Sequence, residues 1–174
     1  MGDVTEPSRY SAVQKASHWA LALLCLLEFP TAWSIQRAHL GHAFGLKPPP
    51  TDRILALSHE WLGWLILLLG GLLLAWRLIN GAPSLPAGMK QWQRAIAHTS
   101  HCAIYLALPA LVGSGFVAMY GNARLAYVHI ALTKAGIALI ALHVTAVIWH
   151  QYIRRDGLLM QMLPRRRRNS TTKS

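Results

Sequence analysis

Histidine is the residue type whose number and positions in this sequence favour chemistry. The 174 residues include nine histidines but only six aspartates and glutamates. His39 and His42 fall in a polar stretch and are interpreted as surface residues, whereas the other seven fall within or at the ends of four apolar stretches. These seven are His18, His59, His98, His101, His129, His143 and His150. An ionisable side chain inside such a stretch is costly to bury, so it is usually retained for a function.

The spacing of His129 and His143 predicts two stacked sites. In a helix with 100° per residue, their separation of fourteen positions amounts to about 1400°, which is within about 40° of four whole rotations. Both side chains therefore lie on one helix face. At 1.5 Å per residue they are about 21 Å apart along the axis, so each needs its own partner at a matching depth.

Partners at matching depth follow from counting along the predicted helices. His59 lies about eight residues into the second helix, and His129 about seven into the fourth. His18 lies about eight residues into the first helix, and His143 about ten before the fourth one ends. His101, in the third helix, reaches a depth close to that of His18. Counting alone therefore leaves both as partners for His143.

Paired histidines on separate helices are typical ligands of a planar iron cofactor. Neutral imidazole on both faces of a haem iron leaves no open position for a substrate, which suits electron transfer. A zinc site is disfavoured because structural zinc ligands usually lie a few residues apart and include cysteine or carboxylate. Neither Cys25 nor Cys102 lies in a CxxCH motif, which excludes covalent c-type attachment. The sequence therefore predicts two b-type haems.

Other polar residues near the predicted haems are candidates for further contacts. His98, His101 and His150 are interpreted as contacts to quinone or to haem propionates, with an ordinary place at the membrane interface as the alternative. Arg124 and Lys134, toward the outer end of the fourth helix, are candidate contacts for a small outer anion or for a propionate. Their alternative is that the side chains extend to lipid headgroups.

Four apolar stretches position these histidines. Apolar residues make up 53% of the chain and charged residues 13%, which is wrong for an ordinary soluble domain. Because about 20 helical residues cross a bilayer core of about 30 Å, each stretch is long enough to span a membrane. The prediction is an all-α integral membrane four-helix bundle in one domain over 1–160, with a basic, disordered cytoplasmic tail over 161–174. The predicted helices cover about 11–36, 52–79, 90–120 and 123–154.

The net charge of +11 is explained by membrane topology rather than by binding to nucleic acid. With both ends of the chain in the cytoplasm, twelve of the seventeen lysines and arginines lie on that side, as the positive-inside rule expects. The arginine run over 165–168 is then attracted to anionic lipid by roughly 1 kcal/mol per charge. Membrane lipid is therefore the predicted partner, and no nucleic acid is expected.

Several short motifs form a specific combination. They are Arg9-Tyr10-Ser11 running to His18-Trp19, His59 at the start of the second helix, His98-x-x-His101 in the third, the His129, His143 and His150 pattern, and the Met162-Leu163-Pro164-Arg165 ending. In this combination the chain resembles the bacterial cytochrome b561 family of membrane di-haem b-type cytochromes, over about residues 9–165. The resemblance implies that His18 and His143 hold an inner haem. It likewise implies that His59 and His129 hold an outer one.

The resemblance also implies a location in the bacterial inner membrane and a function in electron transfer. One type within the family is similar to a superoxide oxidase, which passes an electron from superoxide outside to ubiquinone inside. The expected function is electron transfer from a periplasmic donor, either superoxide or a redox protein, to quinone. The alternative is a non-catalytic cytochrome subunit of a periplasmic dehydrogenase or hydrogenase. The link over 120–128 is much shorter than the outer loop expected in the superoxide-oxidising type, which leaves the donor open.

The acidic residues allow a third hypothesis. The chain would then be a haem-free structural or transport protein, with Glu28 and the His59-Glu60 pair as parts of a proton path. Glu28 itself, beside Pro30, is interpreted as a hydrogen-bonded structural group, with a proton carrier as the alternative. A homodimer is compatible with the sequence.

Overall fold

Four long helices make up most of the molecule. The structure is a computed structural model that describes residues 10–47, 49–81 and 88–163, with the backbone alone over 38–43. The helices are α1 (Ala12–Ala43), α2 (Pro50–Asn80), α3 (Gln91–Tyr120) and α4 (Ala126–Trp149). All four are long and apolar enough to cross a membrane, and the described residues form no strand. The all-α prediction with four apolar helices is confirmed, whereas the cytoplasmic placement of both termini stays a prediction.

The surface of the bundle is apolar and its interior is partly polar. Among the described residues, the buried apolar side chains are Ile66, Met89 and Leu108, and large apolar residues on every helix face outward. Thr31 and Ser34 are buried instead. This arrangement suits a protein surrounded by lipid. Apolar side chains gain no free energy by moving from lipid into the bundle, whereas polar groups need hydrogen-bond partners inside it.

The helices pack as two closely associated pairs. α1 lies along α2, and α3 lies along α4, whereas α2 and α3 meet more sparsely. One close approach between α2 and α3 is at Gly70, where a Cβ atom would come within 2.5 Å of Leu108 Cδ1. Small residues of this kind let membrane helices pack closely. The two helix pairs therefore form one bundle, in which rings on α1 and α2 approach rings on α4.

Several helix ends differ from the predicted bounds, and α4 is shorter at both ends, Ala126–Trp149 in place of 123–154. α2 begins at Pro50, two residues before the predicted start, with Pro49 in an extended conformation (φ −60°, ψ 151°) as its N-cap. Proline is accepted in the first turn of a helix because its missing N–H would have no partner there. α1 continues past the predicted end at 36 to Ala43 and is followed by Gly45, whose φ of +71° is not helical.

The chain after α4 turns back onto the start of α1. A π-helical turn, His150–Arg154, ends at Arg155 with a left-handed φ of 52°. Farther along, the carbonyl of Met162 accepts a hydrogen bond of 2.9 Å from Trp19 Nε1, and that of Leu163 one of 3.1 Å from Lys15 Nζ. Met162 and Leu163, at the start of the predicted tail over 161–174, thus contact α1, and the disorder of the tail stays a prediction. The basic stretch over 164–174 lies outside the described residues.

Removing an ion pair between α1 and α2 is expected to lower the stability of the protein measurably. Asp52 is 3% exposed, and its Oδ1 lies 2.8 Å from Nη2 of Arg37, which is 53% exposed. Replacing Asp52 with asparagine should cost about 1–2 kcal/mol, between the values for exposed and buried pairs, because the arginine left behind can still reach water. The measurement is the thermal unfolding midpoint in detergent. Arg53→Gln, which removes a charge from the neighbouring exposed side chain, is the control, and an equal midpoint for the two variants would contradict the prediction.

Candidate functional site

One predicted histidine pair lies between α2 and α4. The ring centres of His59 and His129 are 6.2 Å apart, and their planes are nearly perpendicular. Nδ1 of His129 lies 3.0 Å from the carbonyl oxygen of Leu111 and 3.1 Å from Oγ of Ser114, both on α3. The Ser114 hydroxyl donates to Leu111 as well, so its oxygen is available to accept from the ring. α3 therefore orients His129 although it supplies no histidine to this pair.

The other predicted pair lies between α1 and α4, with a third histidine beside it. The ring centres of His18 and His143 are 6.4 Å apart, whereas those of His101 and His143 are 5.1 Å apart. Nδ1 of His101 is 2.6 Å from the carbonyl oxygen of Ala97, one turn earlier on α3. The structure therefore brings His18 and His101 to the same level as His143, as counting along the helices predicted.

Hydrogen bonds indicate which ring nitrogen of His59 and His129 is available to a metal. Nδ1 of His59 lies 2.5 Å from Oε2 of Glu28 and 3.2 Å from Oγ1 of Thr31. A ring nitrogen beside a carboxylate or a carbonyl carries the hydrogen, and this fixes the tautomer. In both histidines the lone pair is therefore on Nε2, which is free to bind a metal.

The separation within each pair fits a metal with one imidazole on each face. Two metal–nitrogen bonds of about 2 Å, plus about 1.1 Å from each nitrogen to its ring centre, put the centres about 6 Å apart. The distances of 6.2 and 6.4 Å agree with this value, and the 5.1 Å between His101 and His143 is too short. Among the described side chains, no group of three histidine, cysteine or acidic residues is placed to hold a metal ion. Each pair supplies only two donors, so a haem, with four nitrogens of its own, fits this donor set.

A cleft opens beside His18 and His101 at the end of the bundle where α1 begins. Its cavity volume is about 40 Å³, and it is partly open to the surroundings. The lining residues are Tyr10, Gln14, His18, Leu73, Arg77, Gly81, His101, Tyr105 and Met162. Burial raises the pKa of Tyr10 above its usual value, against an opposing effect of Arg77, so its phenol is neutral and able to donate a hydrogen bond.

Four polar residues of this cleft, Tyr10, Gln14, Arg77 and Tyr105, were not predicted as site residues. In the sequence Arg77 is one of twelve basic residues expected in the cytoplasm, and Tyr10 is part of a motif. Neither position indicates that the side chain faces a histidine on another helix. Tyr105, one turn after His101 on α3, carried the one usable signal, since residues four apart share a helix face. A basic side chain and two phenols beside a histidine can together bind an anionic or carbonyl-bearing ligand.

The other predicted contact residues are distributed over different surfaces. His150 is 7% exposed, and its Nδ1 lies 2.5 Å from Oδ2 of Asp156, while exposed His98 contacts Sγ of Cys102 at 3.7 Å. Neither histidine lines the cleft. Arg124 and Lys134 are exposed, and helix geometry puts Lys134 about 140° around α4 from His129. The side chains of His39 and His42 lie outside the described part of the structure.

Comparisons with known proteins find matches over most of the chain. A model of the family described as prokaryotic cytochrome b561 matches residues 9–165. The probable superoxide oxidase CybB of Yersinia pestis is 24% identical over 181 residues, which cover 91% of this chain and 98% of that protein. Cytochrome b562 of Cereibacter sphaeroides is 26% identical over 163 residues, which cover 92% of this chain and 98% of that protein.

The family match confirms the resemblance inferred from the histidine motifs, and it extends over nearly the whole chain. The family implies haem b, which the histidine pairs fit. The chain belongs to the prokaryotic cytochrome b561 family, and it is a multi-pass bacterial membrane cytochrome of the b type that takes part in electron transfer.

Proposed function

We propose that the chain is a di-haem cytochrome that carries electrons across the bacterial inner membrane, from a periplasmic donor to quinone. The observation that carries this proposal is the distance between the two ring centres within each histidine pair. This distance is 6.4 Å for His18 and His143 and 6.2 Å for His59 and His129. Two pairs at the ligation distance, about 21 Å apart along α4, support one haem in each half of the membrane.

Each of the four histidines is proposed to bind one haem iron. His18 and His143 hold the inner haem, and His59 and His129 the outer one. Bound haem supplies a one-electron carrier that exchanges no ligand during oxidation and reduction. The chain's own part is to hold the imidazoles in place, which it does through the Leu111 carbonyl for His129 and through Glu28 for His59.

The inner end of the path is proposed to meet quinone in the cleft beside His101. Arg77, Tyr10 and Tyr105 offer a positive charge and two hydroxyl groups there. These groups suit either the carbonyl oxygens of a quinone or the propionates of the inner haem. His98 and His150 remain proposed contacts for the same ligands from outside the cleft.

The outer donor is proposed to be superoxide. The relative named as a superoxide oxidase supports this choice, and exposed Arg124 and Lys134 add positive charge that attracts a small anion. One observation favours the second candidate, a cytochrome subunit that receives electrons from a periplasmic dehydrogenase or hydrogenase. The α3–α4 link contains a single 3-10 turn, Ala123–Leu125, so it is too short to form an outer domain of its own.

Two measurements on the purified full-length protein test the proposal. Haem extraction and a reduced-minus-oxidised spectrum should give two b-type haems per chain, and a spectrum without a b-type band would reject it. Superoxide added with a ubiquinone analogue should reduce the haems and then the quinone. Haems that are present but stay oxidised with superoxide would favour the docked cytochrome subunit over the oxidase.

A further inference from the structure

A carboxylate on α1 contacts one of the proposed haem ligands on α2. Oε2 of Glu28 lies 2.5 Å from Nδ1 of His59, and the two side chains are 20% and 25% exposed. Oγ1 of Thr31 is 3.1 Å from the same carboxylate oxygen and 3.2 Å from the same ring nitrogen. Thr31 is 4% exposed, so this three-residue cluster is inside the bundle. A carboxylate at membrane depth is costly unless it is paired, and His59 supplies the pairing.

The other proposed ligands have weaker partners. The ring of His129 meets a backbone carbonyl and a hydroxyl group, at 3.0 and 3.1 Å. For His18 and His143, the described residues include no hydrogen-bond acceptor of the ring N–H, and both imidazoles pack against other aromatic rings. Of the four imidazoles, only that of His59 is therefore paired with a carboxylate. The outer histidine pair thus has a carboxylate partner, and the inner pair has none among the described residues.

Resting on the proposed function, we propose that Glu28 is a positioning residue that holds His59 with Nε2 toward the iron and lowers the reduction potential of the His59–His129 haem. A carboxylate that accepts the second N–H of a ligating histidine fixes the ring orientation and makes the imidazole a stronger electron donor. A stronger donor stabilises the oxidised iron, and hydrogen bonding to the axial ligand is one of the means by which a protein sets a haem potential. The carboxylate thus favours onward transfer of an electron that enters at this layer.

The test is a potentiometric titration of Glu28→Gln in the full-length holoprotein. Glutamine keeps the size and a hydrogen-bond acceptor but removes the charge, so both haems should be retained. We expect the midpoint potential of one haem to rise and that of the other to stay unchanged. The same upward shift in a His18→Ala background, which keeps only the His59–His129 haem, assigns the shift to that layer.

Glu60→Gln is the matched control because it removes the same charge one residue from His59. The Glu60 carboxylate accepts a hydrogen bond of 2.6 Å from Tyr120, whereas the carboxylate that pairs with the His59 ring is that of Glu28. The potential in this variant should stay close to that of the unmodified protein. If the His18→Ala background does not fold, the two-component titration of Glu28→Gln alone still decides, since one component must move.

Two outcomes overturn the inference while leaving the di-haem proposal intact. Equal potentials in Glu28→Gln and the unmodified protein would show that the carboxylate only clamps α1 to α2. A shift of the same size in Glu60→Gln would assign the effect to general charge rather than to contact with His59. A protein without b-type haem would instead reject the proposed function itself, before Glu28 is tested.

Discussion

Replacing His143 with alanine is expected to remove one of two haems and spare the other. Alanine offers no metal ligand, and His18 alone would hold the inner haem by one face. Since loss of an axial imidazole removes half of the protein's bonds to the iron, the haem content should fall to about half of the original value. The measurement is haem per chain by extraction, checked against the amplitude of the reduced-minus-oxidised spectrum. Two haems retained in this variant would contradict the pairing.

The companion variants His18→Ala and His101→Ala separate the two neighbours of His143. The 6.4 Å between the rings of His18 and His143 matches ligation from opposite faces, and the 5.1 Å to His101 does not. His18→Ala should therefore resemble His143→Ala, whereas His101→Ala should keep both haems. The reverse result would make His101 the ligand, which is the alternative that counting along the sequence left open.

The fold was predictable because lipid imposes simple length and composition limits on a helix. Four stretches of sufficient length and low charge gave the four helices, and the fourteen-residue spacing on α4 gave the two layers. The helix ends were less predictable. Pro50 by itself favours the end of a helix, and only its place in the first turn explains why α2 includes it. The return of the chain after Asp156 depends on contacts of Met162 and Leu163 with α1, which the sequence does not reveal.

The groups around the histidines were less predictable than the histidines. Glu28 and His59 are thirty-one positions apart on different helices, and no periodicity within either helix reports their contact. Glu28 was interpreted as a hydrogen-bonded structural group, and the contact with His59 supplies that hydrogen bond. The Leu111 carbonyl that orients His129 is a backbone group, which exists at every position of the sequence and so carries no signal. Periodicity identifies the face of a helix, and only the packing of helices identifies the neighbour.

Replacing Gly115 with leucine is expected to remove most of the outer haem. A Cβ atom at this position of α3 would come within 3.1 Å of Cε1 of His129, closer than ordinary van der Waals contact. The larger leucine side chain must displace the imidazole, whose Nδ1 is already held by Leu111 and Ser114, so Nε2 moves away from its ligating position. A displacement of about 1 Å is enough to impair a preorganised site. The haem content should therefore fall toward one per chain.

The inner haem serves as the folding control for Gly115→Leu, because a b-type band that persists at about half amplitude reports an intact bundle. Gly113→Leu is the matched substitution. A Cβ atom there has no neighbour within 4 Å, and helix geometry turns position 113 about 160° away from position 115. It should keep both haems. Gly115→Ala, with only the single Cβ atom to accommodate, should retain the outer haem with an altered spectrum. If Gly115→Leu kept the outer haem unchanged, the result would contradict His129 as the ligand at that layer, because the Cβ atom alone already comes within 3.1 Å of its ring.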